Sequence, residues 1–529
     1  MNMSRCRGFT LTLAGLLVAS LGACGGGSSS PATPPPPTTF TVGGNVTGLT
    51  GTGLVLQNNN GDDLSIAANG AFTFASPLLS GGAYVITVKT QPAVPAGQFP
   101  QTCDVSSGSG NATSIVRAIA VGCHGPSGRF LYVVNSGSDN VSAYSIDGSS
   151  GTLTPVAGSP FAGTGPSPRT AALHPNGRFL YVPGFTSTLT SGSIAGFNID
   201  ASTGALTSIP GLPLTFPGAA SRISFHPNGN FLYFHIQTGV DAGIHAYAID
   251  ATTGALSLVP GSPIPLQLNG GVLDATGDFY YSASIAPPTS VRAYSVNSTT
   301  GALTQVHQLA VTQTPSSFAI DPSGKFLYVS LTSLLSANYI AGYSLNTTTG
   351  LGAEIAGSPF IASQNPTSLL FGPQGRLYAA NSGTSGSPPV NGPGSISVFT
   401  PNSTSGALVN LAGSPYSSGG NRIDLVTFDP TGRFLSATNI APGRIALFTI
   451  HSTDGELTPV LGSPFSPSTG INPGVLKFDP SGRFGYVTDT NTNTVSLYSI
   501  DSTGRPTFIS SYQTGATPSI SAPIIAGQQ

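Results

Sequence analysis

The chain has 529 residues, of which 39% are hydrophobic and only 7% charged, against roughly 25% charged in typical soluble domains. Its formal net charge is −2 and no basic cluster stands out that could neutralise a phosphate backbone, so the composition excludes nucleic acid as a partner. Glycine and proline are abundant, but the regular apolar patterning beyond the first forty residues points to a packed chain rather than a disordered one.

Arg5 and Arg7 precede an apolar run from Phe9 to Ala23. A basic start, a short apolar stretch and small residues at its end make a secretory signal, and the run falls short of the ~20 residues that a spanning helix needs. Leu21-Gly22-Ala23-Cys24 resembles the lipobox of bacterial lipoproteins. That resemblance implies a signal peptide over 1–23, lipidation of Cys24, and a lipid-anchored protein of the cell envelope, on the outer membrane where the host has two. Residues 24–39, rich in Gly, Ser and Pro, read as a tether.

Residues 40–124 read as a separate small β-sandwich of short antiparallel strands, with turn signals at the Gly-Asp-Asp and Asn-Gly-Ala stretches. Four cysteines occur in the chain, and Cys6 and Cys24 fall in the leader and lipobox. The remaining two, Cys103 and Cys123, are expected to form a disulfide in an exported domain, stapling the last hairpin or neighbouring strands.

From residue 125 to 529 the sequence repeats. GRFLYV at 128 recurs as GRFLYV at 177, GNFLYF at 229, GDFYYS at 277, GKFLYV at 324, GRLYAA at 375, GRFLSA at 432 and GRFGYV at 482. A second strand motif follows each, as in VSAYSID at 141 and VSLYSID at 495, then a Thr-Gly or Asp-Gly turn and a short strand. A fourth strand precedes the glycine in seven units; the first lacks it, and the chain ends with a spare one at 517–525. A ring explains the displaced strand, because its last strand would complete the first blade and remove the open sheet edges. Alternate residues of Phe130-Leu131-Tyr132-Val133 are apolar on both faces, as a blade packed between two blades requires. The fold class is therefore all-β: a β-propeller of four-stranded blades, eight by this count with seven as the alternative, preceded by the small β-sandwich.

HPNGRFLYV, DPSGKFLYV and YVTDTNTNTVSLYSID resemble the lactonase-type propeller family with YVTN-like repeats, which includes bacterial 6-phosphogluconolactonases and carboxymuconate cyclases. The resemblance covers about 400 residues and implies a propeller; members usually have seven blades. It implies as an activity the hydrolysis of a lactone, by charged residues in a central cleft acting on acidic substrates.

Repetition separates scaffold from candidate chemistry. His174 and His226 share their slot with Asp274, Asp321, Asp429 and Asp479, which marks them as turn caps. The arginines after the repeat glycine, such as Arg178 and Arg483, recur likewise and read as structural. His124, His235, His245, His307 and His451 show no ligand spacing, so neither a metal nor another cofactor is expected, and no hydrolase motif such as G-x-S-x-G is present. The short turns lie on one face, and the loops at 183–192 and 381–394 and the GSPF stretches near 158, 357 and 462 lie on the other, where function concentrates. Aligning the innermost strand starts gives a ring of Arg169, Ser221-Arg222, Asn269, Ser316, Thr367, Asp424, Gly474 and, from the closing strand, Ser519. Arg169 and Arg222, in consecutive units, are expected as neighbours that hold a carboxylate or phosphate. Asn269 adds a polar contact; Asp424, with Arg422 beside it, is the candidate base. The first functional reading is a monomeric, non-catalytic lipoprotein that binds a small acidic ligand, glycan or protein through the variable face. The alternative is a lactonase acting on a sugar-acid lactone, so enzymatic activity stays open at this point.

Overall fold

The computed structural model describes residues 37–527 apart from 48, 50–51, 94–101, 107, 125–127, 221, 238, 267, 334–337, 347, 373, 384–391, 442, 468–472, 520 and 522; for Asn269 and Asp424 only the backbone is described. The signal, Cys24 and most of the tether lie outside the described residues.

Residues 39–124 form two four-stranded sheets that share one apolar core. Val42, Val46, Phe72, Ile119 and Val121 come from one sheet, and Leu54, Leu56 and Ile86 from the other. Cys103 and Cys123 sit directly opposite each other on neighbouring strands, Cα atoms 4.0 Å apart, and are joined as a disulfide. An all-antiparallel arrangement was expected here, and one strand departs from it. Val116–His124 runs parallel to Val42–Thr47, because the chain visits the other sheet in between and that excursion is long enough for a parallel return.

From Gly128 onward the strands follow one plan. Each blade runs from an inner strand outward in chain order: blade 2 is Ala172–Leu173, Phe179–Phe185, Gly192–Ile199 and Leu206–Ser208, and blade 5 is Thr314–Ile320, Phe326–Thr332, Tyr339–Asn346 and Gly350–Glu354. The described residues give seven hydrogen-bonded sheets in the ring, one of which holds eight main strands and so carries two blades. The join is the strand Tyr416–Phe428, which pairs first with Pro393–Pro401 of blade 6 and then with Phe434–Ala441 of blade 7. The ring thus contains eight four-stranded units.

Blade 1 is completed from the far end of the chain. Ile524–Gly527 pairs antiparallel with Gly128–Asn135 as its inner strand, and Pro518 bridges to Asn135 further along. The alternation read from Phe130-Leu131-Tyr132-Val133 has its physical counterpart in two separate cores. Phe130 and Tyr132 pack with Leu180 and Phe197 of blade 2, whereas Leu131 and Val133 pack with Phe484 and Tyr486 of blade 8.

Six of the eight seams between blades are built from the same three residues, a phenylalanine, a tyrosine and a turn glycine. The repeat tyrosine donates its hydroxyl to the carbonyl of the turn glycine in the next blade, as in Tyr132 to Gly204 (3.0 Å) and Tyr181 to Gly254 (2.6 Å). Seven blades do this, including blade 8, where Tyr486 reaches Gly151 of blade 1 at 2.8 Å. The glycine is required twice over. Gly204 has φ 75°, and a Cβ on it would lie 2.3 Å from the Phe130 ring of the preceding blade. Blade 7 has Ser436 at the tyrosine position, and its hydroxyl is buried without a hydrogen bond.

Two predictions follow from ring closure and from the seams. Deleting residues 515–529 removes the inner strand of blade 1 and should yield unfolded or aggregated protein; a soluble truncation with the circular dichroism of the intact chain would contradict closure. Tyr181→Phe leaves the buried Gly254 carbonyl unpaired and should cost about 1–2 kcal/mol, seen as a lower urea midpoint at unchanged slope.

Candidate active site

The innermost strands are edge strands of their sheets, so runs of consecutive residues, not alternate ones, reach the centre of the ring. They enclose a cavity of about 740 Å³, lined in runs such as Ser316–Phe318, Thr367–Leu370 and Pro473–Val475, with Ser521 of the C-terminal segment also in the lining. Four consecutive inner strands carry a register shift there, between Leu268 and Gly271, Pro315 and Ser317, Pro366 and Ser368, and Ile423 and Val426. Such bulges bend a strand and re-aim its side chains. Asn269, Ser316, Thr367 and Asp424, aligned in the sequence as strand starts, all fall inside these shifts.

Hydroxyls around the cavity bind one blade to the next. Ser316 donates to the Pro366 carbonyl (3.1 Å), Thr367 to Ile423 (3.4 Å), Thr438 to Gly474 (3.2 Å) and Thr488 to Ser519 (2.7 Å). Ser519 in turn donates to the Arg169 carbonyl. Between blades 3 and 4 the link is different: His235 Nε2 lies 2.9 Å from the Tyr280 hydroxyl. His235 lines the cavity wall yet is buried, and burial pulls its pKa down to about 3, so the imidazole is neutral at physiological pH. Burial also pushes the Tyr280 phenol far above its ordinary value. Gly271 lies against this pair, since a Cβ there would meet the Tyr280 hydroxyl at 2.4 Å.

The structure separates the two arginines that the sequence suggested as a clamp. Arg222 lines the cavity, and among the described lining residues it is the one ionised side chain. The Arg169 guanidinium instead lies 4.9 Å from the Phe185 ring centre in its own blade and is not part of the lining. Arg422 has φ 47° and donates its amide to the Gly392 carbonyl; its side chain is exposed. Asp424 stands on the blade 7 strand one residue before Leu425, which lines the cavity. Among the described residues, no three His, Cys, Asp or Glu side chains group as metal ligands.

The repeat-position residues are structural, as their recurrence indicates. His174 Nδ1 accepts the Asn176 amide and Asp321 accepts the amides of Ser323, Lys325 and Phe326. Arg483 reaches the Gly148 carbonyl of the neighbouring blade at 2.7 Å. The GSPF stretches are a correction: they are not varied loops but one turn repeated from blade to blade. Ser159, Ser358 and Ser463 each precede a cis proline and accept an amide of the third strand of their own blade, at 2.8, 3.0 and 2.9 Å. They are a repeated device that turns the outer strand. Most of the 381–394 loop lies outside the described residues.

A family model described as a lactonase, seven-bladed β-propeller, matches residues 86–214, 121–266 and 418–521, together more than half of the chain. The chain belongs to the lactonase β-propeller family. Its ring has eight four-stranded units where the family description names seven, and the merged sheet of blades 6 and 7 brings the number of separate sheets to seven. No curated protein matches the sequence. Among solved structures, the Pseudomonas aeruginosa periplasmic gluconolactonase PpgL is similar, with 18% identity, a TM-score of 0.47, and coverage of 74% of this chain and 97% of its own. The dihydro-heme d1 dehydrogenase NirN, in complex with DHE, aligns with a TM-score of 0.52 at 13% identity over 76% of this lactonase-family chain and 75% of its own, a likeness of fold alone.

His235, Tyr280 and the glycine pair Gly270-Gly271 were not singled out in the sequence, although a signal was there. Tyr280 replaces the repeat leucine of blades such as Leu180 and Leu327, and His235 stands where other blades have Ser330, Thr438 or Thr488. Departures from a repeat are where a ring of equal blades becomes unequal.

Proposed function

We propose that the protein is a lactone hydrolase whose substrate enters the central cavity and presents an anionic or carbonyl oxygen to Arg222. Family membership favours this reading over a non-catalytic binder. The observation that carries it is Arg222, the one ionised side chain among the described residues on the wall of a large central cavity. An arginine holds a carboxylate or phosphate through paired donors, and beside a lactone carbonyl it also stabilises the oxyanion that forms. In the reaction, water oxygen bonds to the lactone carbonyl carbon and loses a proton to a base, for which we propose Asp424. The ring C–O ester bond then breaks and the departing alkoxide takes up a proton, giving a hydroxy acid. A sugar-acid lactone is the substrate class the family resemblance suggests. The second reading, ligand binding without turnover, is favoured by the engagement of Ser316, Thr367 and Thr438 in holding blades together. Attachment to the envelope through a lipid on Cys24 is part of the same proposal, and a Cys24→Ser chain should lose metabolic palmitate labelling.

The proposal is tested by hydrolysis of a panel of sugar-acid and muconate lactones. Arg222→Ala and Asp424→Asn should each lower kcat/KM by about tenfold or more, the loss of one charged contact in the transition state. Arg169→Ala, whose side chain lies on Phe185, should stay within about threefold of the parent. Absence of turnover on every lactone would leave ligand binding as the function.

A further inference from the structure

Blade 4 leaves a gap in the wall of the cavity. In blades 5 and 6 the inner strand rejoins its ladder after the bulge with a serine and then a bulky apolar residue: Ser317 and Phe318 opposite Ser330 and Val329, Ser368 and Leu369 opposite Ala380 and Ala379. The same register in blade 4 holds Gly270-Gly271, with Gly271 opposite Ser282. Both glycines line the cavity, so two side chains present in the neighbouring blades are missing there. Packing demands Gly271, because a Cβ on it would run into the Tyr280 hydroxyl that meets His235. At Gly270 packing makes no such demand: a Cβ there would touch only the Phe318 ring, at 3.8 Å, and otherwise meet open space. The gap is held in place, since Gly270 has φ 74° and the Ser282 hydroxyl donates to its carbonyl at 2.8 Å.

Donors stand on both flanks. Arg222 of blade 3 lines the cavity and is exposed. Ser317 of blade 5 offers a hydroxyl hydrogen. Its amide donates to Ser330 Oγ (2.9 Å), and Ser316 gives its one hydrogen to the Pro366 carbonyl (3.1 Å), so Ser330 donates to Ser316 (2.9 Å). Ser317 Oγ accepts the Leu369 amide at 3.0 Å, which fixes the oxygen and leaves its own hydrogen unassigned among the described residues. A hydroxyl that already accepts a hydrogen bond is polarised into a stronger donor. Ser224, Gln237, Ser368 and Ser521 add polar groups to the lining, but among these described side chains that of Ser317 is the one anchored by a backbone amide. Asp424, whose backbone alone is described, stands on blade 7, four units round the ring from Arg222 and three from the gap.

A gap without side chains of its own, flanked by a guanidinium and an anchored hydroxyl, is a seat for one small group that accepts hydrogen bonds and carries negative charge. We infer that it is a carboxyl-binding subsite: the Arg222 guanidinium pairs with the two carboxyl oxygens, and Ser317 donates a further bond to one of them. This subsite deepens the lactone-hydrolase reading and rests on it only for the reaction, since the same seat takes the carbonyl of a lactone and the carboxylate of the ring-opened acid. Gly270 then sets the size of the group admitted, and Ser317 the demand for an acceptor oxygen.

Calorimetry with the full chain tests the subsite apart from any reaction. D-gluconate is titrated beside D-glucitol, which has the same hydroxyls and a CH₂OH group in place of the carboxylate. Gluconate should bind about tenfold or more tightly than glucitol, and Ser317→Ala and Gly270→Asn should each weaken gluconate by about tenfold, the size of one hydrogen bond to a charged group. Ser317→Thr, which keeps a hydroxyl, should restore binding. Arg169→Ala, outside the lining, should stay within about threefold of the parent. Gly270→Asn fills the gap and leaves the Leu369 amide paired, so it tests the seat even if Ser317→Ala loses stability; asparagine tolerates the positive φ. Equal binding of gluconate and glucitol, no binding of either, or parental gluconate affinity in Gly270→Asn overturns the subsite. If gluconate follows the expected pattern and no lactone is opened, the subsite stands and the hydrolase reading falls. If glucono-δ-lactone is opened and both Ser317→Ala and Gly270→Asn keep the parental kcat/KM, the hydrolase reading stands and the subsite falls.

Discussion

The contact on which the ring depends is the seating of a turn glycine from one blade against the phenylalanine and tyrosine of the blade before it. The phenylalanine ring occupies the space a side chain would need, and the tyrosine hydroxyl satisfies the glycine carbonyl, as Phe130 and Tyr132 do for Gly204. A buried carbonyl must find a donor, and supplying it from the adjacent blade couples two sheets that share no backbone hydrogen bond. Phe484 and Tyr486 make the same contact to Gly151, so the coupling also spans the chain ends. The closing strand Ile524–Gly527 adds backbone pairing at that one point.

The seams leave the inner strands free to serve the cavity. Blades are locked together by the second strands and the outer turns, and so the innermost strands remain edges whose residues face the centre. Bulges in blades 4 to 7 break their regular pairing, and the hydroxyls there bridge to the next blade. The scaffold therefore engages part of the polar capacity of the wall. Among the described lining residues a ligand meets Arg222, Gln237, Ser317 and the partly exposed Leu370.

Asymmetry in the ring is concentrated between blades 3 and 4. Arg222 and His235 come from blade 3, Gly271 and Tyr280 from blade 4, and each departs from what other blades carry at that position. A ring of identical blades has no preferred direction for a ligand. Substitutions at this seam give the cavity a charged side and an orientation, which is what a site needs in order to hold a ligand in one pose.

The sequence by itself determined the blades, the turn caps, the closing strand and the cysteine pairing. These depend on local period, fixed spacing and the few cysteines available: apolar residues on both faces of Phe130–Val133 require two neighbours, and a strand missing at the start must be supplied at the end. Only the tertiary structure decided which arginine serves the cavity: Arg169 and Arg222 stand one residue apart in the repeat register, and the Arg169 guanidinium lies over Phe185 of its own blade while Arg222 lines the cavity. It also decided that Val116–His124 runs parallel to Val42–Thr47, that blades 6 and 7 share one sheet, and that the GSPF stretches are turns. The reason is common to all four. Each depends on where a chain segment lies relative to residues distant in sequence or across a turn, and neither periodicity nor spacing carries that distance.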